Sequence, residues 1–154
     1  MSKGYLSIKT KIQVLKPDAD VFEAIIDPKK MSNYFISSGS GRMEEGKTII
    51  WKFPEFETDV PIRIKQINPN QFISFFWDNE KVETLVEIHI ESVSSKSTII
   101  SVFEKSMENN EDGIKWLKEN TEGWANFLAS LKAYLEYGIN LRKGAFDFMN
   151  SQKI

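Results

Sequence analysis

The sequence has no cysteine, a single histidine and no long uninterrupted apolar run, and each absence closes off a class of function. Without thiols there are no disulfides, no thiolate metal sites and no cysteine nucleophile. The one histidine, His89, cannot build a zinc site or a hydrolytic triad by itself. Crossing a bilayer takes about 18 consecutive apolar residues, so membrane insertion is not expected. A charge of one sign is lacking too: 20 Lys and Arg stand against 22 Asp and Glu, a formal net charge of −2. Nucleic acid and anionic lipid call for a basic footprint, so neither is an expected partner. The opening Met1-Ser2-Lys3-Gly4-Tyr5 leads straight into an alternating pattern, without the charged lead and apolar core of a secretory signal. The expected location is cytoplasmic.

What is present is a surplus of rings and an orderly change of periodicity. At 154 residues the chain has the length of one domain, and eleven Phe with four Trp are generous for that size. Tyr5 to Leu15 alternates as a first strand, and Lys16-Pro17-Asp18 breaks it. Asp18 is the expected N-cap of a short helix through Val21, Phe22, Ala24, Ile25 and Ile26, stopped by Asp27-Pro28, with another helical turn over Lys29 to Tyr34. Ser37-Ser38-Gly39-Ser40-Gly41 reads as a flexible segment, and Glu45-Gly46 as the turn into a strand over Thr48 to Phe53. Four more strand patterns follow, Val60 to Lys65, Phe72 to Trp77, Val82 to Glu91 and Ile99 to Phe103. Their short connections make sequence neighbours antiparallel neighbours in space.

The last third changes to helical spacing. Ile114, Leu117, Trp124, Phe127, Leu128, Leu131, Tyr134 and Leu135 recur at intervals of three and four. The pattern predicts a helix over Glu111 to Tyr137, with acidic residues at its positive end and Gly138 as its stop. An amphipathic helix that follows a run of strands has to bury its stripe against their sheet, which makes an α+β domain with space between the two layers. Gly123, placed mid-helix at a cost of about 1 kcal/mol against Ala, suggests close approach of sheet or ligand. Residues 1–141 read as a single domain and 142–154 as a tail, with one more turn through Phe146 and Met149 before a loose end.

Three segments carry a resemblance: Val21-Phe22-Glu23-Ala24-Ile25-Ile26-Asp27-Pro28, Gly46-Lys47-Thr48-Ile49-Ile50-Trp51-Lys52-Phe53, and Gly123-Trp124-Ala125-Asn126-Phe127-Leu128 continuing to Glu136. Together they resemble the START-like (SRPBCC) superfamily, and within it the family related to the activator of the heat-shock protein 90 ATPase in its small stand-alone bacterial form. The resemblance implies a helix-grip fold, a curved antiparallel sheet of about seven strands wrapped around a long C-terminal helix, with two short helices after the first strand. Tyr34-Phe35 stands where many relatives have Trp-Phe, which implies a more polar pocket wall. The resemblance covers only the C-terminal-type domain of the eukaryotic activator, whose separate N-terminal domain does much of the chaperone binding.

The expected ligand-binding residues are Tyr34, Trp51, Phe53, Phe56, Phe75, Trp77, Glu104, Trp124 and Phe127. Alternation puts Trp51 with Phe53, and Phe75 with Trp77, on single strand faces. Such rings bury about 150–250 Å² each and could line a cavity or fill a core, while Trp indole nitrogens would offer directed polar contacts. Glu104 follows Ile100 and Val102 on an inner face. It could move protons or pair with a cation such as Arg63, and an ion-paired Glu104 would tolerate an amide at modest cost. His89 falls with Glu87 and Glu91 on the charged, solvent-facing side of its strand, too spread for one metal ion. The leading expectation is a domain that binds an apolar or amphipathic small molecule between sheet and helix, with no metal, cofactor or catalytic residue. The alternative is a protein-interaction module acting on a chaperone or another protein. A cyclase- or dehydratase-type enzyme with Glu104 as base stands third.

Overall fold

The computed structural model describes residues 4–151; the loose end expected of the tail lies outside the described residues. The strands are β1 (Tyr5–Val14), β2 (Ser38–Gly39), β3 (Thr48–Lys52), β4 (Val60–Asn68), β5 (Phe72–Asn79), β6 (Val82–Ser94) and β7 (Ser97–Glu108). They form one seven-stranded sheet in the order β1-β7-β6-β5-β4-β3-β2, every pair antiparallel. From β3 to β7 this is the meander that short turns dictate. The pairing register shifts at Leu6/Ser7, Ile64/Gln66 and Ser92/Ser94, and interruptions of this kind bend and twist strands and so curve a sheet.

Between β1 and β2 lie α1 (Asp18–Ile26) and α2 (Pro28–Met31). The cap of α1 differs from expectation. Pro17 holds that position, its carbonyl accepting from Asp20 N and Val21 N, and no side chain caps the end. Asp27 does cap α2, accepting from Lys29 N at 2.9 Å with Pro28 in the first turn. The segment read as flexible is instead partly strand: Ser38 and Gly39 pair with Lys52 and Trp51. A Cβ on Gly39 would sit 2.9 Å from Pro28 Cβ, so only a glycine lets this edge strand lie against α2.

Helix α3 runs over Glu111–Tyr137 as the spacing predicts, and a short α4 (Asp147–Ser151) follows. Asn110, which the pattern did not single out, caps α3 by accepting from Gly113 N at 2.8 Å; Gly138 ends it in the left-handed region at φ 65°. Trp116, Trp124, Phe127, Leu128 and Leu131 form its buried face, whereas Ile114 is 42% exposed and lies off the stripe. The helix runs chiefly against β1, with lesser contact to β7 and α1. Its separation from β3–β5 is bridged by aromatic side chains rather than backbone contact, and there the fold leaves room. Among the described residues no helix is long and apolar enough to cross a membrane.

Candidate functional site

One inner-face row crosses the sheet as Ile8, Glu104, Val86, Phe75 and Ile64, each facing the next in register. Glu104 is the charged member of this apolar row and is fully buried. Burying a carboxylate without hydrogen bonds is prohibitive, and five donors converge on this one. Trp77 Nε1 (2.9 Å), Asn79 Nδ2 (3.1 Å) and Thr84 Oγ1 (2.6 Å) donate to Oε2. Trp124 Nε1 (2.8 Å) and Asn120 Nδ2 (3.1 Å) donate to Oε1. Asn79 Nδ2 also donates to Thr84 Oγ1 and Asn120 Nδ2 to Asn79 Oδ1, tying β5, β6, β7 and α3 into one network.

The cation expected beside Glu104 is not there. Arg63 alternates with the inward Ile62 and Ile64, so its guanidinium emerges on the other face of β4. It donates to Asp78 at 3.2 Å and to Glu83. A carboxylate offers about four lone-pair positions, and five neutral donors take them up. The indole nitrogens that looked available to a ligand are spent in the same way. Trp77, half-buried, and Trp124, only 2% exposed, are tilted at 34° with centroids 5.4 Å apart, and with their N–H groups turned to Glu104 they present carbon rather than N–H on their other sides.

Beside these rings, on the side of α3 away from β1, opens a groove of about 600 Å³. Phe35, Phe53, Phe56, Trp77 and Trp124 supply its apolar wall, and Asn79, Asn120 and Gly123 its floor and helical edge. A Cβ on Gly123 would meet nothing within 4 Å. Neither sheet nor side chain approaches it, so of the two expected neighbours the sheet is absent, and the glycine widens the groove. Of the nine residues singled out in the sequence, Phe53, Phe56, Trp77 and Trp124 line this space and Glu104 anchors two of them from below. Trp51, Phe75 and Phe127 lie in the packed core away from the groove. Tyr34 is also buried, its hydroxyl donating to Ala24 O at 2.8 Å. The polar atom that distinguishes it from Trp is thus used within the fold, and burial pushes the phenol well above its ordinary value. His89 is exposed on the outer face, its ring edge-on to Phe72 and Phe103.

The remaining wall comes from residues that sequence reasoning did not single out as a site. The segment after α3 folds back and places Arg142, Phe146 and Met149 along the groove. Arg142 pairs with Glu55, and its guanidinium lies 5.2 Å from the Phe35 ring, 5.4 Å from Phe53 and 4.9 Å from Phe146. Burial pushes it down to about 10. No periodicity marks a lone arginine after a helix stop. Asn120 did leave a signal, a polar residue one turn before Trp124 on the apolar stripe.

With this geometry, similarity to known proteins is informative. No curated protein matches the sequence. Among solved structures, a protein from Staphylococcus saprophyticus is 35% identical with a TM-score of 0.77, over 88% of this chain and 96% of that one. The Aha1 dimer from Colwellia psychrerythraea is 19% identical (TM-score 0.75; 86% and 98% covered), and DynU16, from the dynemicin biosynthetic locus, is 21% identical (TM-score 0.75; 86% and 48% covered). These last two share the fold, with α3 gripped by the sheet. A family model described as Activator of Hsp90 ATPase homolog 1-like protein matches residues 16–136, from the turn before α1 to the end of α3, and the chain belongs to that family of START-like helix-grip proteins.

Proposed function

We propose that the chain binds an apolar or amphipathic small molecule in the groove between α3 and the β3–β5 side of the sheet, without transforming it. In this reading residues 1–141 are the binding domain and 142–154 a tail, of which Arg142, Phe146 and Met149 line the groove. The observation that carries the reading is the half-buried Trp77 ring at the wall of the groove, which Glu104 holds by its N–H together with the more deeply buried Trp124. A preformed apolar wall binds without first being ordered. The saturation of Glu104 by five donors also argues against the enzyme reading, since a general base needs a free lone pair within reach of substrate.

The interaction-module reading has two supports. Tyr137, Ile139 and Leu141 are exposed in succession where α3 ends, and the family description names an activator of a chaperone ATPase.

Titration with the neutral fluorophore N-phenyl-1-naphthylamine tests the groove. The expected result is saturable binding to the folded protein, with quenching of Trp emission. Phe56→Ser should weaken it several-fold at little cost in stability, because Phe56 lines the groove yet is 51% exposed. Failure of the native protein to bind the probe saturably would overturn the reading.

A further inference from the structure

The chemistry at the mouth of the groove is lopsided. Four carboxylates, Glu55, Asp78, Glu119 and Glu122, line it, and Arg142 is the one cation among its described residues. Asp78 is occupied by Arg63. Glu55, by contrast, is buried in the β3–β4 loop with its ion pair made to Arg142 alone among the described residues. Phe35 and Phe53 meet beside it nearly at right angles, 82° with centroids 5.2 Å apart, and form a corner of two ring faces and a carboxylate. That is a cation receptor: ring quadrupoles and a negative charge in a desolvated setting.

Arg142 fills the corner imperfectly. Its Nε is buried without a hydrogen-bond partner, and burial depresses the guanidinium. The seat also divides two spaces. A smaller cleft of about 260 Å³ lies on the far side, and Phe35, Glu55, Arg142 and Phe146 line both it and the groove. Withdrawal of the Arg142 side chain would join the two. Phe35, Phe53 and Glu55 precede α3, whereas the occupant and a third ring against it, Phe146, come from the segment beyond the helix.

We infer that this corner is a cation subsite held in this state by the chain's own Arg142, and that the groove takes an amphipathic organic cation whose head replaces Arg142 against Phe35, Phe53 and Glu55. The inference rests on the groove being a ligand site. The apolar body of the ligand lies along Trp77 and Trp124. A quaternary ammonium head suits the corner better than the arginine because it has no N–H to leave unsatisfied. Arg142 is then an intramolecular competitor, present at the high effective concentration that a short connection gives.

The test uses three eight-carbon probes below their micellar concentrations, octyltrimethylammonium, octyl sulfate and octyl glucoside, titrated into the full chain by calorimetry. The cationic probe should bind the unmodified protein most tightly. Arg142→Ala should raise its affinity at least about tenfold while leaving octyl glucoside little changed, and adding Glu55→Gln should remove the gain. Should Arg142→Ala fail to fold, Arg142→Met, which keeps the aliphatic stem against the rings, carries the same comparison. Equal affinity for the three heads in the unmodified protein and the arginine variant, or a gain for octyl sulfate, would overturn the cation subsite while leaving groove binding intact. If none of the three probes nor the neutral fluorophore binds, both readings fall together.

Discussion

Replacing Glu104 with glutamine changes one oxygen to an NH2 group and tests whether the buried carboxylate organises the domain. The less harmful orientation keeps the carbonyl toward Trp77, Asn79 and Thr84 and turns the NH2 toward Trp124 Nε1 and Asn120 Nδ2. Both of those groups are donors, so two hydrogen bonds to a charged acceptor are lost and a third donor is buried among them. Hydrogen bonds to charged groups contribute about 1.5–3 kcal/mol each, and an orphaned buried donor costs about 1–3 kcal/mol. Rotating the Asn120 amide would satisfy the new NH2 but would sacrifice its bond to Asn79 Oδ1. The expected loss is therefore about 3–6 kcal/mol, well above the modest cost that an ion-paired glutamate would imply. Urea denaturation followed by Trp fluorescence measures it directly, since two of the reporting indoles touch Glu104. A loss below about 1 kcal/mol would refute the reasoning, because the five contacts would then carry no net stability.

Two glycines of α3 should respond in opposite directions. Gly123→Ala places a methyl in open space and should stabilise the protein by about 0.5–1 kcal/mol through helix propensity. Gly113→Ala would put a Cβ 1.9 Å from Glu108 O and should cost at least about 1–3 kcal/mol as the first turn shifts. Thermal and urea unfolding of both variants decide this, and equal effects would mean that the helix start is placed wrongly. At Glu136, burial pushes the carboxyl up, but Lys132 and the Leu15 N–H outweigh it and hold the group below its ordinary value. A depressed folded value contributes stability that is present above the unfolded value near 4.3 and is lost as pH falls through the folded one. The stability gap between the unmodified protein and Glu136→Gln should accordingly shrink below pH of about 4; a gap unchanged by acid would contradict the assignment.

Much of the architecture was legible because it follows from periodicity. The interval pattern from Leu117 to Leu135 placed α3, and alternation placed Val86 and Ile88 inward with His89 outward. The partners of Glu104 were not legible. Its inner-face position followed from Ile100 and Val102, but its donors come from three other elements whose juxtaposition depends on where α3 docks. A reading by charge naturally looked to Arg63, although the same alternation that buries Ile62 and Ile64 turns Arg63 outward. The aromatic candidates divided for a similar reason. Alternation put Trp51 and Phe53 on one strand face, yet β3 ends at Lys52, and Trp51 is covered in the core while Phe53, just past the strand end, lines the groove. Glu55 and Arg142 lie in irregular segments 87 positions apart, where no repeat exists to be read.

The place of β1 in the sheet has a consequence for how the chain is made. Tyr5 pairs with Glu108 and Val14 with Thr98, so β1, once synthesised, waits for about a hundred more residues before its partner exists. At about 5–20 residues per second that is an interval of some 5–20 s. The meander from β3 to β7 can close during this time from neighbour to neighbour, whereas β1 stays unpaired with Ile8 and Val14, later buried, still uncovered. The completed sheet must then capture β1 along the open edge of β7. A nascent chain arrested before Ser97 would lack that edge altogether and would keep β1 as a free amphipathic strand, the species most exposed to wrong pairing with other chains.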